Sequence, residues 1–188
     1  MTVEAQVVHV DGPVIIGAGL AGLMTAIELS PIPCIVLSAG PITTGTSTGW
    51  AQGGVAAAVG PDDSPALHTA DTLAAGAGLC ELDAVERITT AGPQAIERMA
   101  EVGTRFDRNP DGTFLLGLEG AHGRRRIVHA QGDMTGAELL RSCVEKAREL
   151  PSITLWDNAW GSEIIVRGGR VAGLRVELGG GSSFATLT

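Results

Sequence analysis

The sequence predicts an α/β domain, with a parallel sheet entered through a strand–turn–helix unit, inserted helices, and an antiparallel β-meander at the C-terminal end. Three observations carry this. The β-branched run Val14-Ile15-Ile16 leads straight into a glycine turn, Gly17 to Gly22. Thr135 to Leu150 has the apolar spacing of a helix. From Ile153 onward, short β-branched runs alternate with glycine-rich loops.

Each element follows in order. Val14 to Ile16 reads as a buried strand, with Pro13 at its first position, where a missing N–H is tolerated. Leu20 to Leu29 reads as a helix, ended by Ser30-Pro31-Ile32-Pro33. Cys34 to Leu37 is a second strand, so residues 14–37 form a βαβ unit with parallel pairing. Residues 47–102 read as mainly helical, punctuated at Gly53-Gly54, Gly60-Pro61, Gly76 and Gly92-Pro93, with a last helix from Pro93 to Val102. Asn109 to Gly112 is a turn before the apolar run Phe114 to Leu118. Thr135 to Leu150 buries Leu139, Leu140, Cys143, Val144 and Ala147 on one face, and Pro151 stops it. Strands follow at Ile153–Leu155, Glu163–Val166 and Val171–Leu178, the last two joined by the loop Arg167-Gly168-Gly169-Arg170. Gly179-Gly180-Gly181 then turns the chain into a third strand near Phe184.

Composition excludes several function classes. A length of 188 residues fits one domain. A net charge of -8, with 3% aromatic residues and no Tyr, disfavours a nucleic-acid partner, and the basic run Arg124-Arg125-Arg126 is too short to reverse that. Cys34, Cys80 and Cys143 form no CxxC pair, so neither a metal site nor a disulfide framework is expected, and a cytoplasmic setting is the default. Pro13 to Leu29 is nearly apolar. Its three glycines, its Glu28 and its length make it a buried strand–helix unit and not a membrane span.

The chemistry starts at Gly17-Ala18-Gly19-Leu20-Ala21-Gly22, a GxGxxG between a strand and a helix. Gly17 permits the tight turn, Gly19 lets backbone approach a pyrophosphate, and Gly22 lets helix and strand pack closely. The helix N-terminus then offers N–H groups and partial positive charge to phosphates. Glycines also serve ordinary turns, and it is the flanking strand, helix and second strand that favour a dinucleotide. The acidic residue usual about 20 positions on is replaced by Ser38, whose hydroxyl can bond a sugar without charge assistance. No Arg follows to hold a 2′-phosphate, so NADP is disfavoured while NAD and FAD stay open.

Longer segments carry a family resemblance. Ser47-Thr48-Gly49-Trp50-Ala51-Gln52-Gly53-Gly54 is similar to the S-x-x-x-A-Q-G-G segment of L-aspartate oxidases. Asp71 to Cys80 resembles their D-T-L-x-A-G-A-G-L-C segment. Leu118-Glu119-Gly120-Ala121-His122 with Arg125-Arg126-Ile127-Val128-His129-Ala130 resembles E-G-G-H…R-R-I-[LV]-H-A, and Gly132 to Gly136 resembles G-D-A-T-G. Order and spacing agree over almost the whole chain.

The resemblance implies a Rossmann-like FAD-binding domain in the fold of succinate dehydrogenase and fumarate reductase flavoproteins. It implies an oxidoreductase, a flavoprotein that takes L-aspartate to iminoaspartate with oxygen or fumarate as acceptor. That activity feeds quinolinate and NAD biosynthesis, with a functional link to quinolinate synthase. Those relatives attach flavin to a histidine where this chain has Ser47, so the resemblance implies non-covalent FAD. By the same resemblance Gly17 to Gly22, Ser38-Ala39, Ser47 to Gly54 and Asn158-Ala159 contact the cofactor, and Glu119 orients the substrate amino group. His122 and His129 read as polar packing residues or loop support, and Arg125 and Arg126 as loop holders, phosphate ligands or solvated groups.

Three departures stand out. Ala121 replaces a family glycine and would strain the Glu119 loop at positive φ; Met134 replaces a smaller residue; Ala39 replaces a lysine. Residues 1–188 are expected to be an incomplete domain, lacking the capping and C-terminal helical domains and inactive alone. A succinate or fumarate flavoprotein, or a non-catalytic FAD- or ADP-binding module, are the competing readings.

Overall fold

The computed structural model describes residues 6–180 and 183–188; Gly181, expected in a turn, lies outside them. In chain order the first elements are β1 (Gln6–Val8), β2 (Val14–Ile16), α1 (Leu20–Leu29), β3 (Cys34–Leu37), a 3-10 turn at Ser47–Trp50, β4 (Val55–Ala56) and α2 (Pro65–Ala75). Then come α3 (Leu82–Val102), β5 (Leu116–Gly117), β6 (Ile127–Val128) and α4 (Thr135–Glu149). Last are β7 (Ile153–Trp156), β8 (Ala159–Arg167), β9 (Arg170–Leu178) and β10 (Ser183–Leu187). They form two compact units, Met1–Gly49 with Leu140–Thr188, and Trp50–Leu139.

In the first unit β2, β3 and β7 make a parallel sheet in that order, in register Ile15 to Val36 to Leu155. All four residues of the central strand β3 are buried, as a strand flanked on both edges and covered on both faces requires. The second sheet runs β1-β10-β9-β8, with β8, β9 and β10 as the expected antiparallel meander. Gly168 and Gly169, at φ +56° and +75°, give β8–β9 the two-residue turn whose twist suits a hairpin. Ile35, Leu37, Ala159, Leu174, Val176, Ala185 and Leu187 form a shared core. β8 starts at Ala159, four residues before the expected strand, where the Ala159 N–H is held by the O of Ser38, the residue after β3, at 2.7 Å. β1, which the sequence did not signal, pairs parallel to β10.

In the second unit α2 packs on α3, where the Thr69 and Thr89 hydroxyls meet at 2.7 Å. Three short strands form the antiparallel sheet β4-β6-β5, so 47–102 is less helical than expected and the run 114–118 contributes only Leu116–Gly117. The expected break at Gly92-Pro93 is absent. α3 runs through Pro93 for 21 residues and ends at Gly103, φ +109°. An interior proline costs about 3 kcal/mol. Against that, Val85, Thr89, Ile96, Met99 and Val102 all bury one face of α3, and apolar side chains contribute about 1.5–3 kcal/mol each. The face outweighs the proline.

α4 begins in the second unit and continues into the first. Leu139, Leu140, Cys143, Val144 and Ala147 are all buried, as its spacing predicts. Burial pushes the Cys143 thiol up to about 11, which leaves it a packing residue at neutral pH. No helix among the described residues is long and apolar enough to cross a membrane.

Candidate functional site

In the first unit, four segments distant in sequence meet at the C-terminal ends of the parallel strands, where open α/β sheets place ligands. Gly17 follows β2 and donates its N–H to Leu37 O at 2.9 Å. Ser38 follows β3 and donates its N–H to Trp156 O at 2.9 Å, at the end of β7. Asn158, at φ +51°, turns the chain from β7 into β8, and Asp157 Oδ1 holds the N–H of Ile42 at 2.6 Å. Thr48 completes the group: its Oγ1 accepts the N–H of Leu20 at 3.0 Å, tying the Ser47–Gly49 segment to the start of α1.

The glycines of the turn have separate physical reasons. Gly17 sits at φ +110°, where a side chain is strained. At Gly22 a Cβ would stand 1.9 Å from Gly17 O and 3.3 Å from Ile15 Cγ2, so α1 can lie this close to β2 only with glycine. At Gly19 a Cβ would come within 3.3 Å of Thr48 Oγ1. The N-cap Gly19 supplies no side-chain cap, which leaves the first-turn N–H groups of Ala21 and Gly22 for an acceptor from outside the helix. The first-turn N–H of Leu20, expected to be free, is taken by Thr48 instead.

A dinucleotide fits this arrangement. Backbone donors converge, side chains are small, and Thr46 Oγ1 is buried without a partner among the described residues, one position before Ser47. The sequence carries no signal for Thr46, because an isolated threonine beside a loop shows no pattern. Ser38 is buried to 3% exposure while Ala39 is exposed, and Ala18 and Ala159 are each 1% exposed. Ala18, Ser38 and Ala159 therefore offer backbone more than side chain.

In the second unit Trp50, Ala51, Gln52 and Gly53 are exposed, and Ala51 O accepts the N–H of Gly136 at 3.0 Å. A Cβ on Gly53 would meet nothing within 4 Å, whereas one on Gly54 would stand 2.4 Å from Ile127 Cγ2 and 2.7 Å from Val128 O. Packing of β4 on β6 is thus reason enough for Gly54. His129 lies on the same side: its ring would meet a Cβ on Gly54 at 2.9 Å and one on Gly117 at 2.7 Å, so it fills the space both glycines leave.

Glu119 is exposed on the loop between β5 and β6, and its carboxylate makes no ion pair among the described residues. Ala121 has φ +69°, the left-handed backbone that glycine prefers, so the expected strain is present. Ala121→Gly is therefore expected to raise stability by about 0.5–1 kcal/mol, read from urea unfolding. A loss of stability on that substitution would show the loop to be relaxed as it is.

Beneath this loop lies a cluster the sequence did not reveal. Arg126 is fully buried; Nε and Nη2 form a two-pronged pair with Asp63 at 2.8 and 2.9 Å, and Nη1 meets Asp71 Oδ2 at 3.0 Å. Of the roles open to it, Arg126 is a loop holder, while Arg125 is exposed. His122 Nδ1 lies 3.4 Å from Arg126 Nη1, and its ring is 5.6 Å from that of His68. His68 is 7% exposed, and its Nδ1 has no partner among the described residues. Burial first, then the Arg126 charge, lowers its pKa and keeps it neutral.

Comparison with known proteins fits this geometry. Residues 13–186 match the FAD binding domain family. The chain is 51% identical over 177 residues to an L-aspartate oxidase of Mesorhizobium japonicum, covering 94% of this chain and 34% of that protein. It is 46% identical over 164 residues to an L-aspartate oxidase of Agrobacterium fabrum, covering 87% and 31%. The FrdA chain of E. coli quinol fumarate reductase superposes with a TM-score of 0.88 at 28% identity, over 97% of this chain and 31% of that one. The chain thus spans about a third of the length of the curated relatives it matches.

Proposed function

We propose, on the premise that the chain belongs to the FAD binding domain family, that it forms the cofactor-holding part of an L-aspartate oxidase. The observation that carries the reading is the convergence of the Gly17–Gly22 turn, Ser38, Thr48 and Asn158 at the ends of β2, β3 and β7. When bound there, FAD supplies a hydride acceptor. The Ala21 and Gly22 N–H groups, aided by the partial positive charge of α1, hold the pyrophosphate. Ser38 and Ala39 line the ribose, and Asn158 with Ala159 the adenosine side. Ser47, Thr48 and Gly49 would approach the ring with small side chains. Ser47 has no imidazole to bond the flavin, so the cofactor is released by acid.

In the reaction L-aspartate loses a hydride from its α-carbon and a proton from its nitrogen, and leaves as iminoaspartate. Oxygen or fumarate takes up the electrons. Glu119, exposed on its loop, offers a carboxylate to the substrate ammonium, a charge-assisted contact that distinguishes aspartate from succinate. The product's onward use in quinolinate synthesis, a link to quinolinate synthase and a cytoplasmic setting belong to the same reading.

Two measurements test it. The purified 188-residue chain is expected to retain flavin that acid precipitation releases, and to form no iminoaspartate alone. Flavin that stays with the precipitate defeats the non-covalent site, and turnover by the chain alone defeats the expectation that further segments complete it. In the full-length holoenzyme, preference for succinate over L-aspartate would favour the succinate or fumarate alternative.

A further inference from the structure

We propose that Asp71 is a positioning residue for substrate recognition, fixing through Gly123 the loop that presents Glu119; this rests on the reading of Glu119 as the ammonium contact. The β5–β6 loop is rooted by backbone. Arg126 donates its N–H to Gly117 O at 3.1 Å, and Arg126 O accepts the N–H of Ala57 at 2.9 Å. At its tip, His122 donates its N–H to Glu119 O at 3.3 Å, closing a turn around Glu119. Between root and tip, Gly123 donates its N–H to Asp71 Oδ2 at 2.7 Å, reaching 52 residues back to α2. Arg124 adds an exposed contact to Asp62 at 3.9 Å, of the kind that contributes little in water.

Asp71 is itself immobilised. Its Oδ2 also meets Arg126 Nη1, and Arg126 is clamped by the Asp63 carboxylate on two prongs. The chain of contacts from Asp63 to Arg126, Asp71 and Gly123 therefore ends on the backbone four residues from Glu119. The Gly123 N–H, with the Arg126 charge in support, holds the Asp71 carboxyl below its usual range, so it presents a charged acceptor to the loop throughout neutral pH.

Packing does not explain why this loop is pinned. Leu118, Glu119, Gly120, Ala121 and Gly123 are all exposed, and Ala121 holds a left-handed backbone at φ +69°. Ordering this strained loop buries little beyond His122, which lies beside Arg126 and the His68 ring, and backbone strain of this kind concentrates where a group must be presented in one place. The exposed group at this tip with chemistry to offer is Glu119, since His122 is half-buried beside Arg126 and His68.

The test uses the full-length FAD-loaded enzyme with Asp71→Asn, Glu119→Gln and the double variant. Asp71→Asn is expected to raise the KM for L-aspartate about tenfold, as loss of a charged hydrogen-bond partner does. It should lower kcat less, shrink the preference for L-aspartate over succinate, and leave FAD affinity unchanged. In the Glu119→Gln background it should add almost nothing, because the loop then has no carboxylate to place. Equal effects in both backgrounds, or an unchanged KM, overturn the proposal. Amide exchange separates the two readings. Gly123 should lose protection in Asp71→Asn while β5 and β6 keep theirs; retained protection also overturns the anchoring. If Glu119→Gln alone leaves KM unchanged while Gly123 is deprotected, the fault lies with the role of Glu119. Should Asp71→Asn fail to fold, Gly123→Ala strains the same contact from the other side, since its Cβ would stand 3.3 Å from both Asp71 oxygens.

Discussion

Arg126→Met is expected to cost about 3–5 kcal/mol, measured by urea unfolding followed by circular dichroism. Domains are held by about 5–15 kcal/mol, so the variant should lose a large share of its stability, with the urea midpoint shifted well down. Methionine keeps most of the buried volume, which isolates the electrostatic consequence. Asp63, whose side chain is fully buried against Arg126, would be left as a charge with no counter-charge in a medium that solvates it poorly. Removing one partner of a buried pair costs far more than the intact pair contributes over an apolar substitute. Adding Asp63→Asn and Asp71→Asn to Arg126→Met should therefore recover much of the loss. If Arg126→Met alone costs under about 1 kcal/mol, the cluster does not hold the second unit together.

The same cluster fixes how acid acts on the fold. Asp71 has a lowered pKa in the folded chain, so its contribution is present above the unfolded value of 3.8 and is lost as pH falls through the folded value. His68 has a lowered pKa as well, so the unfolded chain binds its proton first, and stability begins to fall as pH drops through 6.5. Acid should weaken the chain in two stages, the first set by an imidazole and the second by a carboxylate.

What could be read in advance divides along physical lines. β2, α1 and β3 lie within 24 consecutive residues, and each carries its own signal: a β-branched run, a glycine turn or a stop at proline. α4 was equally legible because its buried face repeats at helical spacing over four turns. The positive φ at Ala121 followed from a single residue standing where a glycine was expected. Pairings between distant residues left no local trace. Arg126 meets Asp63 across 63 positions, and nothing in Arg124-Arg125-Arg126 says which of three arginines turns inward. Thr48 capping Leu20 across 28 positions was hidden for the same reason, although both residues stood among the candidates. α3 shows the other kind of miss. Pro93 is a strong local rule, and the buried face of a 21-residue helix overrode it. β1 had three residues and no period to display, so its place beside β10 is decided by partners over 170 residues away.

Gly22→Val should abolish flavin retention, and the reason is geometric before it is chemical. The first Cβ atom alone would lie 1.9 Å from Gly17 O and 3.1 Å from Gly17 C, backbone atoms that cannot swing aside as a flexible side chain can. α1 must then move away from β2 or the turn must open. Either change re-aims the Ala21 and Gly22 N–H groups and parts Leu20 from Thr48 Oγ1. Two charge-assisted contacts at about 1.5 kcal/mol each make the loss in FAD affinity roughly a hundredfold or more. Overpacking adds about 1–3 kcal/mol of destabilisation. Gly17→Ala is the control that separates the causes. Its Cβ would meet nothing within 4 Å, but φ is +110°, so it strains the turn without wedging helix from strand. It should cost about 1–2 kcal/mol in thermal unfolding and much less in FAD binding than Gly22→Val. FAD fluorescence titration of folded protein reads both affinities. If Gly22→Val binds FAD within a few-fold of the parent chain, the α1 N-terminus is not where the pyrophosphate sits. If Gly17→Ala loses as much affinity as Gly22→Val, the conformation of the turn, more than the closeness of helix to strand, is what the cofactor needs.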